Sequence, residues 1–230
     1  MRNRLIAIGV LIIVVTFAQA ALADADVNIV LNGTFQTTAT FNEAGYVNLG
    51  AGSTALPGWT VAGDSIDVVD VVSGGGGLWQ AAPSGGNSID LSGNGAGLTS
   101  QVLTTEPVGS LWTITFYLSG NYGSSADKAL QVTFGDQSWT FVAPGGTTAQ
   151  NMNWQLITIS NILIDSTPTT LTFKSLENSN YGPVIAGVSV VDPPPGGGDS
   201  APAVPEPASM VLLGSGLVGL AGLARRKKRS

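Results

Sequence analysis

The sequence predicts an all-β fold, an antiparallel β-sandwich of jelly-roll type. Three observations carry this. Several stretches alternate apolar and polar residues with period two, which a half-buried strand requires because successive side chains leave opposite faces of the backbone. Gly- and Pro-rich turn sequences separate these stretches. No stretch of the central region shows a capped, 3.6-residue apolar period, and many short punctuated strands point to a sandwich.

In chain order, residues 1–23 read as a signal peptide. Arg2-Asn3-Arg4 precede an unbroken apolar run from Leu5 to Val15. Ala21 and Ala23 then put small residues at the two positions a signal peptidase reads, so cleavage is expected after Ala23. The apolar core is short for a membrane span; an uncleaved N-terminal anchor is the alternative.

Residues 24–191 form the expected sandwich domain. In LWTITFYL, residues 111–118, Trp112, Ile114, Phe116 and Leu118 share one face and Thr113, Thr115 and Tyr117 the other. Leu130, Val132 and Phe134 alternate with Gln131 and Thr133. Leu171 and Phe173 alternate with Thr170, Thr172 and Lys174. WQLITISNILI, from Trp154, is a longer strand candidate. Turns are expected at LPGW (56), SGGGG (73), SGN (92 and 119) and PGG (144). Residues 192–203 are a Pro/Gly-rich linker, read as a stalk.

Charge and composition exclude several functions. Residues 24–203 hold 14 of the 15 acidic residues and only Lys128 and Lys174 of the 9 basic ones, a net charge of −12. Nucleic-acid binding is excluded, because phosphate contact needs clustered Lys and Arg. The chain has no cysteine, so the fold uses no disulfide. It has no histidine either, which removes the usual base for a serine nucleophile and the commonest metal ligand.

The C-terminal segment, residues 204–230, has three parts. Val204-Pro205-Glu206-Pro207 comes first. Residues 208–224 are then free of charge, and a helix of that length spans about 25 Å against a hydrocarbon core of about 30 Å. Arg225, Arg226, Lys227, Lys228 and Arg229 close the chain as a basic stop that stays on the cytoplasmic side. This order resembles the PEP-CTERM sorting signal of Gram-negative bacteria. The resemblance implies export through the inner membrane, transient membrane tethering by one transmembrane helix, and processing by an exosortase near the Pro-Glu-Pro. It further implies residence at the cell surface or in the extracellular matrix, alongside exopolysaccharide in biofilm or floc formation. A permanent tail anchor is the alternative.

A second resemblance covers residues 28–191. Asn32-Gly33-Thr34-Phe35, GSTALPGWTV at 52, SIDVV at 65, LWQAA at 78, NSIDLSGN at 87, LTSQVL at 98, ITFYLSGN at 114, MNWQLITI at 152, LTFKS at 171 and NYGPVIAGVSV at 180 follow in order. The order is similar to the choice-of-anchor C family, related to the DUF642 group, and implies a galactose-binding-like sandwich. Calcium-binding relatives of this fold carry a Glu at the end of the first block and an Asp-Asn-Val in the last strand. Here Gln36 and Ile185-Ala186-Gly187-Val188 stand instead, so that ion site is expected to be lost. No cofactor and no metal are expected.

No catalytic residue is assigned. Asp64, Asp67 and Asp70, spaced by three, alternate faces on a strand and read as solvated or turn carboxylates. A calcium site using Asp67 or Asp90 is the weaker alternative. Gly74–Gly77 reads as a loop, since no helix start or lysine follows to cradle a phosphate. Aromatic rings beside amides are the best binding candidates, because rings stack on sugar faces while amides bond hydroxyls. The candidate carbohydrate-binding residues are Trp79, Gln80, Asn121, Tyr122, Asn180 and Tyr181, the last four in twin Asn-Tyr-Gly tripeptides. The plain alternative is that these rings plug the core rim. Trp59, Trp112, Trp139 and Trp154 read as core or rim. The expected function is an exported, non-catalytic surface or matrix protein binding extracellular polysaccharide. A secreted glycan hydrolase and a protein-binding scaffold are the alternatives.

Overall fold

A computed structural model describes residues 27–70, 78–104 and 108–191. The signal peptide, the linker, the sorting motif, the apolar 208–224 segment and the Gly74–Gly77 loop lie outside these residues.

Eleven strands make up the described domain: β1 (Tyr46–Gly50), β2 (Thr60–Gly63), β3 (Ser65–Val69), β4 (Ser88–Asp90), β5 (Gly97–Leu103), β6 (Leu111–Gly120), β7 (Lys128–Phe134), β8 (Gln137–Ala143), β9 (Gln155–Leu163), β10 (Thr169–Ser175) and β11 (Pro183–Val191). They form a six-stranded sheet, β1-β3-β4-β11-β6-β9, and a five-stranded sheet, β2-β5-β10-β7-β8. Every strand pairing is antiparallel. The expected antiparallel two-sheet sandwich is therefore the fold of the described residues.

The core lies between the sheets, on the faces that the alternation selects. Trp112, Ile114, Phe116 and Leu118 of β6 face Leu130, Val132 and Phe134 of β7 and Leu171 and Phe173 of β10, all buried. The rings interlock: Phe116 meets Phe173 edge-on at 5.1 Å and Phe141 at 5.8 Å, and Trp59 bridges Phe35 and Phe173. Such tilted contacts are preferred over face-to-face stacking. Trp59 and Trp112 are core residues; Trp139 and Trp154 are half-buried. One expected turn is displaced: Ser119 and Gly120 extend β6, and the chain bends at Asn121.

The Asn32-Gly33-Thr34-Phe35 block has a specific role. Asn32 adopts φ 54° and its side chain accepts from the Gln36 amide and donates to the Gln36 and Pro57 carbonyls. Gly33 lies against β11, bonded to Val188, where a Cβ would fall 2.0 Å from the Val188 carbonyl oxygen. Only glycine permits that approach. Nearby, Ile29 donates to the Val190 carbonyl and Val190 donates to the Asn28 side chain. The described domain therefore begins and ends at one end of β11.

Candidate functional site

The outer face of the six-stranded sheet is not a plain solvated surface. Register places Asn48 opposite Asp67, Asp67 opposite Asp90, Asp90 opposite Val184, and Val184 opposite Ser119. This row crosses five strands at the Pro183 end of β11. Beside it, Val69, Trp79, Met152 and Val184 form a second small apolar cluster, with Tyr46, Leu78 and Trp154 packed on it. Between the row and the cluster opens a cleft of about 450 Å³, lined by Tyr46, Asn48, Asp67, Trp79, Asn94, Asn121, Tyr122, Asn180 and Tyr181 among others.

Five of the six candidate residues meet at this cleft. Tyr122 and Tyr181 are exposed, at 38% and 39%. The twin tripeptides depend on each other. A Cβ on Gly123 would fall 2.3 Å from the Tyr181 ring, so the glycine of the first loop seats the tyrosine of the second. Gly182 in turn lies against Asp90 and Ser92, where a Cβ would fall within 2.6 Å of both side chains.

Two of the candidate residues are engaged in bonds of the fold. Trp79 borders the cleft but is 4% exposed, its Nε1 donating to Ser88 Oγ at 2.9 Å and its ring meeting the Tyr122 ring edge-on at 6.2 Å. It supports Tyr122 at the wall of the cleft. Gln80 does not line the cleft. Its Oε1 accepts from the Met152 amide at 3.0 Å and its carbonyl accepts from Trp154 Nε1, so it pins the segment leading into β9.

Sequence reasoning named Asp90 only as an alternative ion ligand and missed its place under the cleft. Asp90 is fully buried, and its Oδ1 accepts from the amides of Ser92 (2.8 Å) and Gly182 (3.1 Å). Asn121 Nδ2 donates to its Oδ2 at 2.6 Å. One buried carboxylate thus holds both tyrosine loops. Burial pushes its pKa up to about 7, against the lowering by these donors, and the neighbouring Asp67 charge adds to the rise. Asp67, half-buried, is also raised by burial, while Asn48 Nδ2, donating at 2.7 Å, opposes the shift. The signal that could have found the pair is Ser-Ile-Asp, which occurs in both β3 and β4. Asp64 and Asp70 lie outside β3 and do not line the cleft, so the spaced triplet does not converge. Among the described residues no group of three or more acidic side chains is placed to hold a metal ion.

Comparison with known proteins places the chain. The model of "Protein of unknown function (DUF642)" matches residues 28–191, and that of the "PEP-CTERM protein-sorting motif" matches residues 203–229. Halomucin of Haloquadratum walsbyi (strain DSM 16790 / HBSQ001) is 32% identical over 171 residues, 72% of this chain. The match spans only 2% of halomucin's own length. Among solved structures, TmCBM61 in complex with β-1,4-galactotriose has a TM-score of 0.38 at 14% identity, over 72% of this chain and 99% of its own. The Family 16 Carbohydrate Binding Module-2 has a TM-score of 0.39 at 14% identity, over 72% and 100%.

Proposed function

We infer function from the premise that the chain belongs to the DUF642 family and carries a PEP-CTERM sorting motif at its C-terminal end. The protein is exported, processed by an exosortase at Val204–Pro207, and delivered to the cell surface or extracellular matrix. There its sandwich binds extracellular polysaccharide without cleaving it, as a component of biofilm or floc.

The observation that carries this reading is the cleft itself. Two exposed tyrosine rings flank Asn48, Asn94, Asn121, Asn180 and Asp67. Ring faces take the apolar face of a pyranose, and amides and carboxylates take its hydroxyls. The cleft is also placed for reach. It sits at the Pro183 end of the nine-residue β11, and the chain continues toward the sorting motif from Val191, about 26 Å away.

Asp90 sets binding apart from hydrolysis. A carboxyl titrating near 7 would suit a general acid. Glycoside cleavage, however, needs two carboxyl groups that both reach the glycosidic bond. Asp90 has no exposed surface and its oxygens are committed to three donors, so it cannot meet a substrate.

The test pairs two measurements. The exported domain should sediment with insoluble exopolysaccharide of its own cell, and Tyr122→Ala should release it. Mass spectrometry of the mature protein should find an N-terminus at Asp24 and no residues beyond the Pro-Glu-Pro region. Retention of the basic tail in lipid, or failure to bind any glycan, would refute the corresponding half of the reading.

A further inference from the structure

We propose that the cleft selects amino-sugar polymers bearing a free, protonated amine over neutral and uronate-bearing glycans. The inference rests on the glycan-binding reading above and specifies its ligand class.

The geometry points there through an arrangement the fold alone does not favour. Asp67 and Asp90 stand directly opposite on neighbouring strands. Two carboxyls in that position repel each other whenever both are ionised, and local violations of this kind are expected at functional positions. Among the described residues no basic side chain is bonded to either of them. Their side-chain partners are the neutral amides of Asn48 and Asn121. The only basic residues between 24 and 203 are Lys128 and Lys174. Lys128 is buried and donates to Ser124, and Lys174 lies on β10 of the other sheet. Among the described residues the cleft lining therefore carries an acid and no basic group to receive a carboxylate or sulfate.

Asp67 is the part of the pair that a ligand can reach, because it lines the cleft whereas Asp90 lies beneath it. Its carboxylate is poorly solvated, which is why burial raises its pKa. An ammonium group entering beside it would replace the missing solvation and favour its ionised form. The exposed rings of Tyr122 and Tyr181 suit the same ligand, since an aromatic face attracts a cation as well as a pyranose face. A neutral N-acetylated sugar gains only the ring contacts and hydrogen bonds, and a uronate brings a further negative charge.

Three tetrasaccharides test this by calorimetry just below neutral pH: glucosamine, N-acetylglucosamine and galacturonate oligomers. The free-amine oligomer should bind about tenfold tighter or more than the acetylated one, the equivalent of one well-placed charge contact. The galacturonate oligomer should bind weakest. Asp67→Asn should erase the preference, weakening free-amine binding far more than acetylated binding. Asp136→Asn, which makes the same charge change in the exposed turn between β7 and β8, should leave the preference intact. Equal or tighter binding of the acetylated oligomer would overturn the inference and leave glycan binding standing. So would a preference that survives Asp67→Asn, since it would then reflect overall charge. Failure of all three oligomers by a protein that still sediments with its own exopolysaccharide would overturn the inference alone, and failure of both would remove the glycan-binding reading as well.

Discussion

Asp90 and Asn121 meet at 2.6 Å although β11 lies between their strands: the Asn121 amide reaches over the head of β11 to a carboxylate that also accepts from Gly182. Removing that amide leaves a buried carboxylate with one donor fewer. Hydrogen bonds to charged groups contribute about 1.5–3 kcal/mol. Asn121→Ala should therefore lower unfolding stability at neutral pH by about 2 kcal/mol, measured by urea denaturation. It should also weaken glycan binding, because the loop carrying Tyr122 loses its tie. An unaltered midpoint would show that this bond holds nothing in place.

The same carboxylate predicts how stability varies with pH. Asp90 titrates near 7 when folded, against an ordinary value of 3.8. Between those values the folded chain holds a proton that the unfolded chain releases. Stability must then fall as pH rises from about 4 to about 7 and level off above, with a slope of at most about 1.4 kcal/mol per pH unit from this group. The raised pKa of Asp67 acts in the same direction. Unfolding curves across this range should show the decline, and Asp90→Asn should flatten it. A stability that rises over this window would contradict the assignment.

Ring contact and scaffold support can be separated. Loss of about 50 Å² of ring contact is worth about 1.3 kcal/mol, so Tyr122→Ala and Tyr181→Ala should each weaken glycan binding about tenfold with little change in stability. Gln80→Ala should do the reverse. It strips the buried Met152 amide of its acceptor, at a cost of about 1–3 kcal/mol, and leaves affinity unchanged. Titration and thermal unfolding of the three variants check the split.

Two glycines make a matched pair for backbone packing. Gly33→Ala drives a methyl group to 2.0 Å from the Val188 carbonyl oxygen and should cost about 3 kcal/mol or prevent folding. Gly50, at the end of β1, has nothing within 4 Å of an added Cβ and no left-handed φ. Gly50→Ala should be neutral or gain up to about 1 kcal/mol, since it restricts the unfolded chain. Circular dichroism and melting temperatures distinguish the two.

The sandwich was legible because its strands advertise one buried face. The alternation at Trp112–Leu118 and at Leu130–Phe134 states directly which side chains meet. The cleft was half legible. Twin Asn-Tyr-Gly tripeptides mark exposed rings locally, and a tyrosine between two loop formers carries its own evidence. The bonds of Trp79 and Gln80 were not legible, because their partners, Ser88, Met152 and Trp154, reach them through tertiary packing that no local pattern encodes. Asp90 was hidden for a further reason. A single acid in a three-residue strand looks like any surface carboxylate, and its burial arises from loops 30 and 90 residues downstream.

The position of β11 has a mechanical consequence. It is hydrogen-bonded on both flanks, to β4 and to β6, and the cleft and the outgoing chain sit at its opposite ends. Tension between a captured polymer and the cell would run lengthwise through this strand. The ladder bonds beside it would then be loaded together in shear, where an edge strand would peel open one rung at a time.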